Sequence, residues 1–291
     1  MTEVGEMGKV DKHAGGGRTI VLIHGMWSNP QVWRNFRHYF EARGYRVVTP
    51  ALRHHDIEPG MVVDPALATT SLLDYADDLE AEILKLDEKP FIIGHSMGGT
   101  LTQMLAARGL ARGATLLATA HCAPIVVLAP VIVSIFVREL MMTPFWRRTQ
   151  LPSYRAMRRA MLNGFNERDA RNLYSTLIPE SGRTFFELAF WYLDNRRAAV
   201  VDPARVNCPL LLLTGTDDRL TPLSVARRTA EHYGDKARLE ALHGHAHWLP
   251  SETGWEKIAE RAARFFEIEA QHIDVEAGAT ETAPDFEPLF V

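Results

Sequence analysis

Cysteine is scarce: only Cys122 and Cys208 occur in 291 residues, with no C-x-x-C spacing. That excludes a disulfide-stapled scaffold or a Cys-rich zinc module and points to buried thiols in a reduced compartment. An excess of positive charge is missing too. Lys and Arg total 32 against 36 Asp and Glu, a net charge of −4, which leaves no electrostatic footprint for DNA or RNA. The arginines at Arg147, Arg148, Arg155, Arg158 and Arg159 have acids nearby and read as a solvated helix face. Long apolar runs are absent as well. The longest, Ala123 to Val137, is interrupted by Pro124 and Pro130 and is too short for a bilayer span. It stays open to three readings: an acyl tunnel, a membrane contact or a buried homodimer contact. Met1 to Gly17 lacks the apolar core of a secretory signal, so a cytoplasmic protein is expected.

What remains is ordinary globular composition, 46% hydrophobic and 23% charged, enough for one large α/β domain with an insertion. Apolar strand-like runs at Thr19 to Ile23, Tyr45 to Val48, Phe91 to Ile93 and Ala114 to Ala118 alternate with helical patterns at Gln31 to Ala42, Leu72 to Leu86 and Thr100 to Arg108. Such alternation predicts a parallel sheet with helices on both faces and a site at the carboxyl ends of the strands. From about 121 to 205 the alternation lapses into prolines, aromatics and arginine-rich helical stretches, the pattern of an inserted helical cap. Most of its Met141, Met142, Phe145, Trp146, Phe185, Phe186, Phe190, Trp191 and Tyr192 read as helix core, with a few facing an apolar acyl pocket. The pattern resumes with a strand at Leu210 to Leu213, a helix at Leu223 to Tyr233, a strand at Ala237 to Leu242 and a helix at Gly254 to Phe266. Residues 18–120 and 206–270 are thus expected to form the core. Residues 1–17 and 271–291 read as flexible tails.

The chemistry concentrates in Phe91-Ile92-Ile93-Gly94-His95-Ser96-Met97-Gly98-Gly99. An apolar run stops at a glycine-bracketed serine and turns into a helix, the G-x-S-x-G nucleophile elbow. Gly94 and Gly98 omit side chains that would collide in so tight a turn, and Gly99 lets the helix approach. A catalytic Ser96 needs a base and a carboxylate to orient it. Asp217 and Asp218 both follow the strand after the cap, and Asp218 is the preferred acid, with Asp217 as a turn former. His243, His245 and His247 follow the last strand. His247, succeeded by Trp248-Leu249 and then Glu252, is the preferred base, His245 the alternative and His243 a surface residue. With His54, His55 and Asp56 the histidine run can also be drawn as a metal site, but it lacks a recognisable zinc spacing. The amides of Met26, after His24-Gly25, and Met97 are the expected oxyanion donors. His24 reads as a loop-orienting residue. Trp27, His54 and His95 are assigned to the substrate surface, although His95 also reads as a packing neighbour of Ser96 and the loop bearing His54 as plain surface.

Together, His24-Gly25-Met26-Trp27, Gly94-His95-Ser96-Met97-Gly98-Gly99, Gly215-Thr216-Asp217-Asp218-Arg219-Leu220-Thr221-Pro222 and Gly244-His245-Ala246-His247-Trp248 resemble the α/β-hydrolase superfamily, in its cap-bearing esterase and lipase-like branch. The likeness runs from about Arg18 to Glu269. It implies an eight-stranded, mostly parallel sheet, a Ser-His-Asp triad and no cofactor, although little room precedes Thr19 for the family's N-terminal hairpin. The expected activity is hydrolysis of a small-molecule ester with an apolar acyl or aryl group. Lactonase, amidase, perhydrolase, lyase and non-catalytic binding are the rivals on the same fold. Haloalkane dehalogenases and epoxide hydrolases of the superfamily place an aspartate where this chain has Ser96.

Overall fold

A computed structural model describes residues 18–126 and 144–281, with side chains as far as 270. Six parallel strands form the central sheet: β1 (Thr19–Ile23), β2 (Arg46–Val48), β3 (Phe91–His95), β4 (Gly113–Leu117), β7 (Leu210–Gly215) and β8 (Ala237–Leu242), in the order β2-β1-β3-β4-β7-β8. The helices are α1 (Arg34–Glu41), α2 (Leu72–Ile83), α3 (Met97–Ala107), α7 (Leu223–Tyr233) and α8 (Trp255–Glu281) around the sheet, and α4 (Tyr154–Ala160), α5 (Glu167–Tyr174) and α6 (Gly182–Ala189) between β4 and β7. Two short strands, β5 (Thr149–Gln150) and β6 (Glu180–Ser181), pair antiparallel in that same insertion. The resemblance implied eight sheet strands, whereas the described residues supply six.

Alternation along each strand divides the core in two. Ile20, Leu22, Phe91, Ile93, Leu211 and Leu213 pack on one face with Trp33, Phe36 and Phe40 of the α1 region and with Ile258, Ala262 and Phe266 of α8. Val21, Ile23, Ile92, Leu116, Leu210 and Leu212 face the other side, with Leu79, Leu101, Leu105 and Val225. Period-two alternation with both faces buried gives the near-continuous apolar runs seen in the sequence. Register aligns Ile23 with Gly94, His95 with Leu117 and Gly215 with Leu242, so these strand ends lie at one edge of the sheet.

The insertion meets the core through buried polar groups. Glu187 accepts from the Leu72 amide at 2.8 Å and from the Ser71 hydroxyl, at the N-terminus of α2, where a carboxylate also complements the helix dipole. Arg183 joins Glu187 at 2.8 Å to Asp194 at 2.6 Å. Burial raises the Glu187 carboxyl above its ordinary range. Glu180 accepts from the Tyr75 hydroxyl at 2.7 Å and lies 3.2 Å from His55 Nε2, in an ion pair without ideal hydrogen-bond alignment. Burial alone lowers the His55 imidazole, and the Glu180 carboxylate outweighs it, so the ring is held above its usual value.

One expectation is corrected here. The closing helix runs to Glu281 and not to Phe266, so 271–281 is helix rather than flexible tail. The chain has no proline there before Pro284, and Gly278 alone costs about 1 kcal/mol in a helix. Residues 1–17 and 127–143, with most of the apolar run Ala123 to Val137 and with Met141 and Met142, lie outside the described residues. No helix among those described is long and apolar enough to cross a membrane. Phe145 and Phe185 are buried in the insertion and Phe186 stacks on Phe190 at 5.8 Å, as expected for helix core, while Tyr192 is exposed.

Candidate active site

Ser96 ends β3 and opens α3 with φ 54° and ψ −119°, a backbone conformation that non-glycine residues rarely adopt and that stores strain. Its surroundings hold it there: the Ser96 amide donates to Leu117 O at 3.0 Å, and its carbonyl accepts from Gly99 N and Ala120 N, both at 2.9 Å. A Cβ on Gly94 would meet Gly98 O at 2.2 Å, and one on Gly98 would meet Ile23 O at 2.2 Å. The helix start, the elbow strand and β1 therefore touch backbone to backbone. Serine at a helix N-cap ordinarily accepts a hydrogen bond from the first turn, yet the Ser96 side chain caps nothing. Its hydroxyl stays available, in a residue only 5% exposed.

The loops after β7 and β8 supply an acid and a base. Asp218 is buried. Its Oδ1 accepts from the Leu220 and Thr221 amides at 2.9 and 2.8 Å, and its Oδ2 lies 2.8 Å from both the Thr221 hydroxyl and His247 Nδ1. The carboxylate fixes the tautomer: Nδ1 carries the proton and Nε2 the lone pair. His247 is fully buried, and its Nε2 has no hydrogen-bond partner among the described residues. Its ring stands 5.1 Å from that of His95, the neighbour of Ser96. Asp217 is exposed and its side chain accepts from Thr216. His245 turns to Glu252 at 3.4 Å. Of the alternatives left by the sequence, the structure pairs Asp218 with His247 and sets that ring beside His95, the residue before Ser96. Among the described residues no three His, Cys, Asp or Glu side chains gather as a metal site.

Met97 is the first residue of α3, so its amide has no acceptor within the helix. Met26 follows Gly25, where a Cβ would lie 3.0 Å from Ser96 Cβ, which shows how closely that loop passes the nucleophile. His24 orients the loop: Nδ1 donates to Gly25 O at 3.0 Å and Nε2 accepts from the Leu52 amide at 3.3 Å. Burial, with His55 nearby, lowers its pKa to about 3 and keeps it neutral.

The three residues assigned to the substrate surface are engaged elsewhere. Trp27, at φ 60°, is buried, and its Nε1 donates to Gln150 O of the insertion at 3.0 Å. His95 is 1% exposed and donates from Nε2 to the His247 carbonyl at 2.9 Å. Burial, with His247 nearby, lowers its pKa to about 3. His54 pairs with Asp64 at 3.2 Å. Their side-chain directions follow from loop dihedrals, left-handed at Trp27 and His54, which no residue pattern announces. Sequence reasoning also missed Thr221, which supports Asp218. A hydroxyl three residues beyond the acid was its one visible signal.

Comparison with known proteins bears on the fold and the family. No curated protein matches the sequence. Among solved structures, a monoacylglycerol lipase from Paleococcus ferrophilus superposes with a TM-score of 0.63 at 19% identity, over 88% of this chain and 97% of that one. An esterase from Thermogutta terrifontis gives 0.63 at 20%, over 88% and 91%. A meta-cleavage product hydrolase from Pseudomonas fluorescens gives 0.60 at 21%, over 87% and 91%. These likenesses establish the fold. The profile of the alpha/beta hydrolase family matches residues 20–261, and with elbow, sheet and loop order in agreement, the chain belongs to the α/β-hydrolase family.

Proposed function

We propose that the protein is a serine carboxylic ester hydrolase, of carboxylesterase or lipase/lysophospholipase-like type, acting on an apolar ester through an acyl-enzyme. The observation that carries this reading is the state of His247: Nδ1 sits 2.8 Å from a buried carboxylate while Nε2 is buried and unpartnered, in a ring 5.1 Å from that of His95, which precedes a serine that caps nothing. Ser96 Oγ attacks the ester carbonyl as Nε2 takes its proton, and Asp218 stabilises the imidazolium. The Met26 and Met97 amides receive the oxyanion, each worth about 3 kcal/mol in the transition state. The imidazolium returns its proton to the leaving alcohol. Water, deprotonated by the same ring, then releases the acid. The aromatic content of the insertion supports an apolar acyl or aryl group, and neighbours described as lipase and esterase support the class by analogy.

The test is turnover of p-nitrophenyl esters from acetate to palmitate, with Ser96→Ala and His247→Ala beside the unmodified chain. Activity with a chain-length optimum, lost in both variants, supports the reading. Inactivity on every ester moves the assignment to amide or lactone hydrolysis, a lyase or a binding protein.

A further inference from the structure

Glu252 lies outside the triad, five residues past His247 in sequence, yet it is 3% exposed and both its oxygens turn towards the base's loop. Oε2 accepts from the Ala246 amide and Oε1 from the Trp248 amide, each at 2.9 Å. These are the N–H groups of the residues on either side of His247. The His247 carbonyl accepts from His95 Nε2 at 2.9 Å and from Leu249 N at 3.0 Å. The backbone that carries the base is thus gripped on one side by a carboxylate and on the other by the residue before the nucleophile.

The grip is anchored in the core. The Glu252 carbonyl accepts from Trp255 N at 3.0 Å, at the first residue of α8, and Phe266 of that helix stacks on Phe91 at 4.4 Å. The elbow strand and the base loop therefore refer to the same helix. The insertion closes over the carboxylate from the other side: a Cβ on Gly164 would lie 3.0 Å from Glu252 Cδ and 3.1 Å from Ala246 Cβ.

We propose that Glu252 is a positioning residue for His247, its carboxylate fixing the two flanking amides so that Nε2 is held at the distance and angle that Ser96 requires. This rests on the reading of His247 as the base. A carboxylate is acceptor on both oxygens and fits two facing N–H groups, with His245 Nδ1 a third neighbour at 3.4 Å. Glutamine keeps the volume but turns an NH2 towards one of those N–H groups. A role in filling space would leave Glu252→Gln silent, and the clamp would not.

The experiment combines kinetics with proton NMR of the full chain. In a folded Glu252→Gln variant kcat falls about 10- to 100-fold, the loss expected when a reacting group is misplaced, while KM stays within about twofold because ester contacts are untouched. The far-downfield resonance of the proton between His247 Nδ1 and Asp218 shifts or broadens. Wild-type kcat with an unchanged resonance in Glu252→Gln overturns the proposal. Should that variant fail to fold, Glu252→Asp serves: a carboxylate one methylene shorter no longer spans both amides, and unaltered kcat and resonance there overturn it equally. Failure of the functional reading shows differently, as an unmodified chain with no ester turnover in which the resonance still reports on the clamp.

Discussion

Within the sheet, neighbouring strands meet through apolar side chains and backbone, whereas the insertion between β4 and β7 adds to its apolar contact, through residues such as Phe145, Met157 and Phe185, a seam of buried polar groups in which Glu180, Glu187 and the Trp27 indole cross to the core. The two attachments differ in what breaks them. Close backbone packing around Gly94, Gly98 and Ser96 has no tolerance for added atoms. A polar seam tolerates volume but depends on charge, because removing one partner strands the other in a dry site. The elbow that bears Ser96 sits on the first kind of structure, and the insertion is tied to the core in part by the second.

The largest effect that sharpens this contrast is in activity. Ser96→Ala should lower ester turnover by at least about 1,000-fold and leave the thermal melt unchanged, since the hydroxyl bears no structural bond. Residual activity above about a hundredth of the original, measured with p-nitrophenyl esters, is incompatible with the triad. Next, Gly98→Ala should destabilise the core by about 3 kcal/mol in urea unfolding, because its methyl meets Ile23 O at 2.2 Å and backbone cannot yield. A silent substitution would mean that the elbow is looser than its contacts indicate. Glu180→Gln should cost less, about 2 kcal/mol, and act locally: hydrogen exchange should accelerate across 149–189 while β3 and β7 stay protected. Uniform acceleration in both regions would erase the contrast.

A further effect is in pH. His24 and His95 titrate near 3 and His121 near 4, each lowered by burial. Above the ordinary histidine value of about 6.5 both folded and unfolded chains hold them neutral, with no pH dependence from these groups. Below it the unfolded chain binds protons that the folded core excludes, so stability declines from about pH 6.5 and levels off near pH 3 to 4. His55, held above its ordinary value by Glu180, acts in the opposite sense: its contribution is present at low pH and lost as pH rises through its folded value. Chemical denaturation at pH 7 and pH 5 should show the lower midpoint at pH 5. A higher midpoint there would place the His55 pair above the three core histidines.

Much of the core was readable from residues alone. Thr19 to Ile23, Leu223 to Tyr233 and Ala237 to Leu242 coincide with β1, α7 and β8, because burial on both faces leaves an unbroken apolar run and helical spacing leaves its own period. Asp218 and Asp217 were separated only by position after the strand, and in the structure one lies against His247 while the other is exposed. Trp27, His54 and His95 were not readable, since a side chain's direction in a loop depends on dihedrals and on distant partners such as Gln150 O and Asp64. The polar seam was hidden for the same reason, its members lying more than 100 residues apart, as Ser71 and Glu187 do.

Trp27 follows Met26, and it holds the insertion twice, through its indole N–H on Gln150 and through its carbonyl, which accepts from Ile178 N at 3.0 Å. The peptide that would receive developing negative charge thus adjoins the residue to which the insertion is hinged. On the proposed mechanism, a substrate that seats the insertion more firmly would load the peptide beside the reacting carbonyl, and binding energy from its distant end would then appear in kcat rather than only in a tighter complex.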